Sequence, residues 1–539
     1  MNLDPQHIVI APILIPLIAG AMMLFFDDRE RRLKTVISLA STGALLAVAA
    51  MMLWRVHNDN DAAALVYLLG NWPAPIAINL VLDRLSAIML VVTAIVAIPA
   101  IVFAIERWAR VGPHFFTLFQ FLLVGLNGAF LTGDLFNLFV FFEVMLAASY
   151  GLVLHGAAPS RVKAGLHYIV INLVASLIFL IGIALVFGAT GSLNMAEIAL
   201  RAQSLEGFTE PALHVGLAML GLAFLVKAGM WPLGFWLVPT YASAAAPVAA
   251  VFSMLSKVGI YSLLRLALLV PAGGEAFGSA LIFIGGAVTL IFASIGVLAS
   301  QSMQRASAYF VLVSSGTLLA TFGMSEPAAT AGALMYLLSS TLAVSAFFMV
   351  VELLERERDA AADVLAVTME AYGEAASDDE GEEAEVRRLM PGALAVLGIG
   401  FSLLAMVLIG LPPLSGFLSK FAILHAIMGP ASHAGEGDTA MRVALAVLLI
   451  LSGVTALIAL SRMGIRTFWA PVEPMQPRVT ITETAPILFL ITVLFALVLL
   501  AGPVMAVVTA AAADLHDPSR YLGAVLGAEH VPPFAQESK

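Results

Sequence analysis

The sequence predicts an all-α integral membrane protein with about 14 transmembrane helices, and two observations carry this prediction. Of its 539 residues, 61% are hydrophobic and only 12% are charged, and the mean hydropathy is +0.99. Apolar runs long enough to cross about 30 Å of hydrocarbon, roughly 20 residues each, recur along the whole chain. This composition excludes a soluble globular protein. The chain has no cysteine, which excludes disulfides, thiol catalysis and iron–sulfur clusters held by thiolates.

Fourteen apolar segments, bounded by polar, proline or glycine residues, give the predicted spans. The seventh and twelfth are longer than one span and contain proline, so we predict that each consists of two half-helices. The first residues, MNLDPQHIVI, lack the basic region and cleavage site of a signal peptide, which favours a retained first helix. The segments cover residues 8–26, 34–54, 80–104, 114–133, 135–154, 167–188, 212–238, 246–270, 277–299, 305–324, 329–351, 391–428, 441–462 and 483–509.

The basic residues of the loops predict the orientation of the chain in the membrane. Alternate loops hold 16 lysines and arginines, whereas the opposite loops and tails hold five. The richer side is predicted to be cytoplasmic, which places both termini outside and requires an even number of spans. No basic arm or nucleic-acid-binding motif accompanies these loops, so no nucleic-acid partner is expected.

One long polar insertion, residues 352–388, separates the eleventh and twelfth predicted spans. It ends in the acidic run EAYGEAASDDEGEEAEVRR, which contributes much of the formal net charge of −10. Such a run is typical of a solvated, partly disordered loop. A docking site for a partner subunit is the alternative.

A weak internal repeat links the two broken spans. FLVKAGMWPLGFWLVP in the seventh and VLIGLPPLSGFLSKF in the twelfth align with Pro232 near Pro413. In each half, the break follows three preceding spans. Paired broken helices are typical of transporters built from inverted repeats, so we predict two inverted five-helix repeats with broken helices 7 and 12. The predicted organisation is an N-terminal three-helix region (1–110), a first repeat (111–270), a second repeat (271–462) and a C-terminal helix with its tail (463–539).

Five cationic side chains fall inside predicted spans: Arg84, Lys227, Lys257, Arg265 and Lys420. A structural role is expected for the two arginines. Arg84 neighbours Asp83 at the start of the third span, and Arg265 lies near the outer end of the eighth, where it can snorkel to water. The lysines lie deeper, where a charge costs about 2.5–3.5 kcal/mol on insertion scales. They are therefore expected to face water or the protein interior and are candidates for function, with a misplaced helix end as the alternative.

Glu143, in LFNLFVFFEVMLAASY, is the one carboxylate clearly in mid-span. An unpaired buried carboxylate is costly, so a cationic partner is expected, and Lys227 is the candidate. A change in the separation of such a pair would make the lysine bind or release a proton. Arginine could not take this role, because it does not deprotonate in proteins.

The helix breaks fit the same chemistry. Pro232, Pro412 and Pro413 lack an amide donor, so carbonyl groups in the preceding turns need water, side chains or ions. Lys227 precedes its break by five residues, and Lys420 follows Pro413 by seven; a plain proline kink is the alternative reading. His167, which opens the predicted sixth span, and His425 are candidates for a relay or for pH sensing. Other polar groups could extend a path but more often join helices: Ser256, Ser314, Ser315, Ser339, Ser340 and Thr341.

These residues resemble a known family, the antiporter-like membrane subunits shared by Mrp-type cation/proton antiporters and respiratory NADH dehydrogenase. The resemblance rests on Glu143, on FLVKAGMWPLGFWLVP around Lys227, on SKVGIYSLLR around Lys257 and on GLPPLSGFLSKF around Lys420, and it extends over all predicted spans. YLLGNWPAPIAINLVLDRLSAIML, GIRTFW and YLGAVLG are similar to the D-type subunit of Mrp (Pha-type) antiporters.

The resemblance implies a proton relay of Glu143, Lys227, Lys257 and Lys420, in which Lys257 is central and Lys420 terminal. It also implies a hetero-oligomer with other Mrp/Pha subunits in the bacterial cytoplasmic membrane that exchanges Na⁺ or K⁺ for protons, without cofactor or metal. Three features depart from the family pattern. The eleventh span, SSTLAVSAFFMV, has only Ser and Thr where a charge or histidine is common, and QSMQRASAY keeps only Arg305 of a more basic motif. His167 stands where lysine is common.

Two alternatives to an antiporter subunit remain at this point. A proton-pumping membrane subunit of a respiratory NADH dehydrogenase would carry the same motifs and would co-purify with flavin and iron–sulfur subunits. A scaffold that retains the fold without transport would tolerate neutral residues at the buried lysines, but it would have no reason to carry their insertion cost. The sequence does not discriminate Na⁺ from K⁺.

Overall fold

The computed structural model describes residues 5–27, 29–58, 64–72, 78–271, 276–372, 392–429, 436–469 and 479–528. A short 3₁₀ turn, Pro5–Ile10, leads into the helices. The first ten are α1 (Ala11–Leu24), α2 (Arg31–Asn58), α3 (Arg84–Glu106), α4 (Trp108–Val111), α5 (Phe115–Leu131), α6 (Leu135–Val153), α7 (Pro159–Thr190), α8 (Met195–Ala202), α9 (Thr209–Ala228) and α10 (Leu237–Ser243). The remainder are α11 (Ala246–Leu269), α12 (Ser279–Ala299), α13 (Met303–Phe322), α14 (Pro327–Tyr372), α15 (Gly392–Ile409), α16 (Ser415–Met428), α17 (Glu436–Gly464), α18 (Ile481–Leu499), α19 (Ala501–His516) and α20 (Pro518–Leu526).

The predicted multi-span helical architecture is confirmed. By length and composition, eleven helices in the described ranges could cross a bilayer, and four shorter apolar helices accompany them. The total of fourteen spans stays a prediction. α13 is not among the eleven although it has 20 residues, because Arg305 at its start, together with its serines and threonines, lowers its mean hydropathy.

Two helices form the centre of the bundle. All 24 residues of α11 are buried, and the hydropathic window of α14 between Pro327 and Arg356 is also wholly buried. By contrast, α1, α2 and α7 expose apolar side chains such as Ile18, Val36 and Val170 over more than half of their area, as expected for helices that face lipid. A side chain on α11 is therefore enclosed by protein on all sides.

A small hairpin covers one end of α3. Strands β1 (Leu65–Leu68) and β2 (Asn79–Leu82) pair antiparallel, with Val66 opposite Val81. Asp83 follows β2 directly and caps α3, because its carboxylate accepts a hydrogen bond from Ser86 N at 2.8 Å. The predicted third span began at residue 80, and this start is wrong because 79–82 extend the hairpin.

Three further predicted boundaries are wrong. α7 begins at Pro159 rather than at 167, since proline is well suited to the first helical turn. α14 continues to Tyr372, so the insertion predicted to begin at 352 starts as helix. The fourteenth predicted span is interrupted at Leu500, between α18 and α19. Residues 373–391, which hold most of the predicted acidic loop, lie outside the described residues.

Both predicted helix breaks are confirmed. α9 ends at Ala228 and α15 at Ile409, and the residue that follows each helix, Gly229 or Gly410, has a positive φ (77° and 88°). In each case a second glycine packs directly against the end of the first half-helix, because a Cβ on Gly234 or Gly416 would overlap a backbone carbonyl. The two breaks are thus built alike, and the wider division into inverted repeats stays a prediction.

Candidate functional site

Lys420 completes the hydrogen bonding of the broken helix before it. In an unbroken helix the amide of residue 413 would donate to the carbonyl of Ile409, but residue 413 is proline and has no N–H. Lys420 Nζ donates to this carbonyl at 2.9 Å. The lysine is 8% exposed. The proline pair and the lysine, seven residues apart, are therefore two parts of one arrangement.

A cavity of about 260 Å³ opens beside Lys420. Its other lining residues are apolar and come from both sides of the break and from α17, among them Phe421, Leu449 and Gly453. Phe421 and Ile450, at its edge, are 54% and 58% exposed. The lysine can therefore be approached from the outer surface of α16 and α17.

Lys257 lies at the centre of the bundle on α11 and is 1% exposed. Its Nζ donates to Ser314 Oγ on α13 at 2.8 Å. Ser314 Oγ in turn lies 2.9 Å from Ser340 Oγ on α14. A hydroxyl can donate and accept at once, so this lysine is connected through two hydroxyls to the middle of α14.

The neighbouring serine continues this connection. Ser339 Oγ lies 2.9 Å from Ser415 Oγ, the first residue of α16, and both side chains are fully buried. Ser415 precedes Lys420 by five residues on the same half-helix. We call Ser314, Ser340, Ser339 and Ser415 the serine track, because together they link the helix of Lys257 to the helix of Lys420.

Lys227 and Glu143 are neighbours in the fold without a direct ion pair between their described side chains. Lys227 Nζ lies 4.9 Å from the ring centroid of Phe142, the residue before Glu143, and this ammonium has no hydrogen-bond partner among the residues that the structure describes. Glu143 instead accepts a hydrogen bond from Ser176 on α7. The Glu143–Lys227 pair predicted from the sequence is thus brought close, and its direct contact stays a prediction.

The two histidines lie apart from the buried lysines. His167 is exposed, eight residues inside α7, and its Nδ1 lies 2.9 Å from the carbonyl of Lys163. His425 is also exposed and stacks on Phe421, with ring centroids 6.0 Å apart. A role of His167 or His425 in a relay or in pH sensing stays a prediction.

The two buried arginines form ion pairs. Arg265 donates to Asp83 at 2.7 Å, and Arg84 donates to Asp514 on α19 at 2.5 Å. The prediction that Arg265 reaches water was wrong, because its side chain is buried and pairs with the carboxylate of Asp83. Arg84 and Asp83 are neighbours in the sequence but do not pair with each other, since Asp83 caps α3 and accepts from Arg265.

The arrangement separates two kinds of buried cation. The arginines have carboxylate partners. Lys257 contacts a hydroxyl, Lys420 contacts a carbonyl, and Lys227 contacts an aromatic ring.

The sequence predicted the three lysines and three of the four serines of the serine track, but it did not indicate Ser415. Its position directly after the Leu–Pro–Pro–Leu break was the available signal. Within the described part of the chain, no group of three or more His, Asp or Glu side chains converges as a metal site would require.

Comparison with known proteins agrees with this architecture. Residues 132–435 match the family described as NADH:quinone oxidoreductase/Mrp antiporter, transmembrane. The chain is 52% identical over 530 residues to the D-type subunit of a probable K(+)/H(+) antiporter from Rhizobium meliloti, covering 97% of this chain and 98% of that protein. It is 32% identical over 528 residues to the D-type subunit of the Na(+)/H(+) antiporter from Alkalihalophilus pseudofirmus, covering 97% and 99%.

A solved structure has the same fold. A chain of the Mrp complex from Dietzia sp. superposes with a TM-score of 0.79 at 26% identity, covering 96% of this chain and 99% of that one. Because the matches run over nearly the full length of both partners, they include the broken helices and the C-terminal helices as well as the central region. This chain therefore belongs to the NADH:quinone oxidoreductase/Mrp antiporter transmembrane family, among its multi-pass members of the D type.

Proposed function

We propose that this chain is the proton-translocating subunit of a multisubunit monovalent cation/proton antiporter. Protons pass along Glu143, Lys227, Lys257 and Lys420, and their movement is coupled to that of Na⁺ or K⁺ in the assembled complex. The chain is a transporter subunit rather than an enzyme. Its partners are the other Mrp/Pha subunits.

The observation that carries this proposal is the serine track. Between Lys257 and the half-helix of Lys420, hydroxyl contacts of 2.8–2.9 Å join four helices through buried space. Each hydroxyl can exchange its donor and acceptor roles, so a proton taken by one lysine has neighbours on which to travel. The Ser340–Ser339 step lies along the backbone of α14, and it needs a side-chain rotation or a water molecule.

The lysines meet the chemical requirement for such a path. A proton carrier must bind and release its proton, which lysine can do and arginine cannot. The ammonium groups of Lys257 and Lys420 hydrogen-bond to neutral groups, so loss of a proton leaves no carboxylate unpaired. The ion-paired Arg84 and Arg265 lack this freedom.

Potassium is the first cation to test. The relative at 52% identity is named for K(+)/H(+) exchange, whereas the relative at 32% identity is named for Na(+)/H(+) exchange. We further propose that the complex lies in the bacterial cytoplasmic membrane with both termini of this chain outside, because the basic loops predict that orientation.

The experiment is cation-driven proton exchange in inverted vesicles that contain the assembled complex. Lys257→Ala and Lys420→Ala are expected to abolish exchange with either cation. The double variant Ser314→Ala/Ser340→Ala is expected to slow it by about tenfold or more, because one acid–base group contributes on the order of 100-fold to a proton transfer. Assembly, followed by co-purification of the other subunits, should remain intact.

Two control variants match these changes. Ser253→Ala/Ser345→Ala removes another buried serine pair between α11 and α14, whose hydroxyls lie 3.0 Å apart and bond to none of the three lysines, and it should leave exchange unchanged. Lys163→Ala removes an exposed lysine and should do the same. Full exchange by Lys420→Ala would overturn the relay, and co-purification of flavin and iron–sulfur subunits would favour a respiratory complex.

A further inference from the structure

A second cavity shares no lining residue with the one beside Lys420 and is strongly basic. It has a volume of about 270 Å³ and is formed by the start of α2, by α4 and by the start of α5. Its lining includes four basic side chains, Arg31, Lys34, Arg110 and His114, and no carboxylate among the residues that the structure describes. Glu106 lies outside the lining, 3.9 Å from Arg110 in a partly exposed pair.

The cavity is built into the fold rather than being a loose patch of surface lysines. Lys34 is only 4% exposed although it carries a charge, and Phe115 and Phe116 beside it are also buried. Arg31, Arg110 and His114 are exposed and surround the opening. The site thus has a closed, partly apolar floor with one cation in it and three basic groups around its mouth.

The local backbone makes this position favourable for an anion. The first turn of α2 holds Arg31, Arg32 and Lys34, although the positive end of the helix dipole disfavours cations there. Asp27 and Glu30 precede this turn and are not part of the cavity lining. α5 starts at the same cavity, at Phe115, and adds the positive end of a second helix dipole. Both helix dipoles and the excess of basic over acidic lining residues favour an anion in this cavity.

The surroundings favour a lipid as the source of that anion. Two apolar helices, α2 and the predicted fourth span α5, begin at this cavity, so it lies at a predicted membrane boundary. Val111, next to Arg110, is 48% exposed, and Leu33 and Val36 on α2 are 40% and 62% exposed. Basic pockets between transmembrane helices bind the headgroups of anionic lipids, and the apolar residues nearby can contact acyl chains.

We propose that this cavity binds the phosphate headgroup of an anionic phospholipid. Arg31 and Arg110 contact the phosphate at the mouth, Lys34 contributes charge from the floor, and the acyl chains lie along α2. This site is independent of the proton relay, because none of its residues belongs to the serine track or to the series of buried lysines.

The test is a lipid titration of the delipidated, purified complex in detergent. Phosphatidylglycerol is added at increasing concentrations, and its binding is measured by native mass spectrometry and by the midpoint of thermal unfolding. Phosphatidylcholine and inorganic phosphate are titrated in parallel. We expect saturable binding and stabilisation with phosphatidylglycerol, and little effect of either comparator.

Variants locate the binding. Lys34→Gln and Arg110→Gln should each weaken phosphatidylglycerol binding by about fivefold, and the double variant by about 25-fold, since each basic group near an anionic surface contributes about that factor. Arg305→Gln, an exposed residue outside the cavity, should have no effect. Because Arg110 is exposed, its variant tests the site even where Lys34→Gln lowers the yield of folded protein.

Three outcomes would overturn the proposal. Equal binding of phosphatidylcholine would mean that the headgroup charge is not read, and saturation by inorganic phosphate with no gain from the lipid would make this a free-phosphate site. Loss of partner subunits in Arg110→Gln with unchanged lipid binding would make the cavity a subunit interface.

Discussion

At the scale of single residues, the interior of the bundle treats its cations in two ways. Arg265 and Arg84 each face a carboxylate, and both pairs join segments far apart in the chain, since Arg265 and Asp83 are 182 positions apart. Removing one partner of a buried pair leaves a charge without compensation, which is more costly than the pair itself is stabilising. The arginine pairs therefore fasten distant segments together, whereas Lys257 and Lys420 have neutral partners, as the proposed relay requires.

Replacing Asp83 tests this distinction. Asp83→Asn keeps a side chain that caps α3 well but leaves Arg265 buried without its carboxylate, so we expect a loss of about 3–5 kcal/mol in stability. The measurement is the midpoint of thermal unfolding of the purified complex. Arg520→Gln, which removes a 3.4 Å contact of a half-exposed arginine, should cost less than about 1 kcal/mol.

A double variant separates the charge effect from a packing effect. Asp83→Asn/Arg265→Met removes both charges, so it should recover most of the lost stability. If Asp83→Asn and Asp83→Asn/Arg265→Met lowered the stability equally, the unpaired charge of Arg265 would not be the cause of the loss.

The sequence could identify the deep lysines because a charge inside an apolar run is conspicuous and costly. It could not identify the partner of Arg265 or the contacts of Ser415, because these depend on how distant helices pack. Periodicity within one helix says nothing of which residue another helix presents. The hydroxyl contact between Ser339 and Ser415 is of this kind, since it spans 76 positions.

At the scale of elements, the break between α15 and α16 has a specific construction. Pro413 has no amide hydrogen to donate to the carbonyl of Ile409, and Lys420 Nζ donates to this carbonyl instead. Gly410, between the half-helices, has a φ of 88°. A Cβ at Gly410 would lie 2.8 Å from Cδ of Lys420. Glycine is therefore needed here both for its backbone conformation and for space beside the lysine.

Gly410→Ala should lower cation/proton exchange much more than it lowers the stability of the complex. A left-handed conformation costs an L-residue about 1–2 kcal/mol, a modest loss for the whole bundle, but the new methyl group would displace the lysine. We expect the complex to assemble and its exchange to fall by about tenfold or more, in line with the contribution of a positioned acid–base group. The same vesicle assay measures this.

Gly502→Ala is the matched control for that change. Gly502 lies in α19 with open space around a Cβ and no positive φ, so alanine should preserve both exchange and stability. If Gly410→Ala retained full exchange, the position of Lys420 would not depend on the glycine.

Element boundaries were less predictable than the elements themselves. The starts and ends of α5, α6 and α11 were predicted closely, because apolar runs end there in turns. α7 and α14 extend well beyond their apolar runs, since helical hydrogen bonding continues through polar sequence when no breaker intervenes. Hydropathy records where a helix enters hydrocarbon and not where the helix begins or ends.

At the scale of the whole molecule, α11 and α14 pass through the centre, and one carboxylate connects them to the periphery. Glu352 on α14 accepts hydrogen bonds from the amide of Ala246, the first residue of α11, at 2.8 Å and from Trp108 Nε1 on α4 at 2.8 Å. It also pairs with Arg356, which reaches Glu483 on α18 at 2.6 Å. The helix that carries Lys257 is thus anchored to three other elements at one point.

Glu352→Ala should weaken the whole assembly of helices rather than one contact. It leaves the Ala246 amide and the Trp108 indole without their acceptor, so we expect a loss of about 3 kcal/mol, in the range for hydrogen bonds to a charged group. Exchange should fall as well, because Lys257 lies on the helix that loses its anchor. Thermal unfolding and vesicle exchange are measured on the same preparations.

Two further variants show whether the carboxylate of Glu352 is what holds α11. Glu352→Gln keeps an acceptor oxygen, so it should recover part of both stability and exchange. Glu197→Ala removes an i,i+4 pair at 3.2 Å on α8 and should cost only about 0.3–0.5 kcal/mol. Unchanged unfolding of Glu352→Ala, or a loss no larger than that of Glu197→Ala, would mean that the carboxylate of Glu352 does not anchor α11.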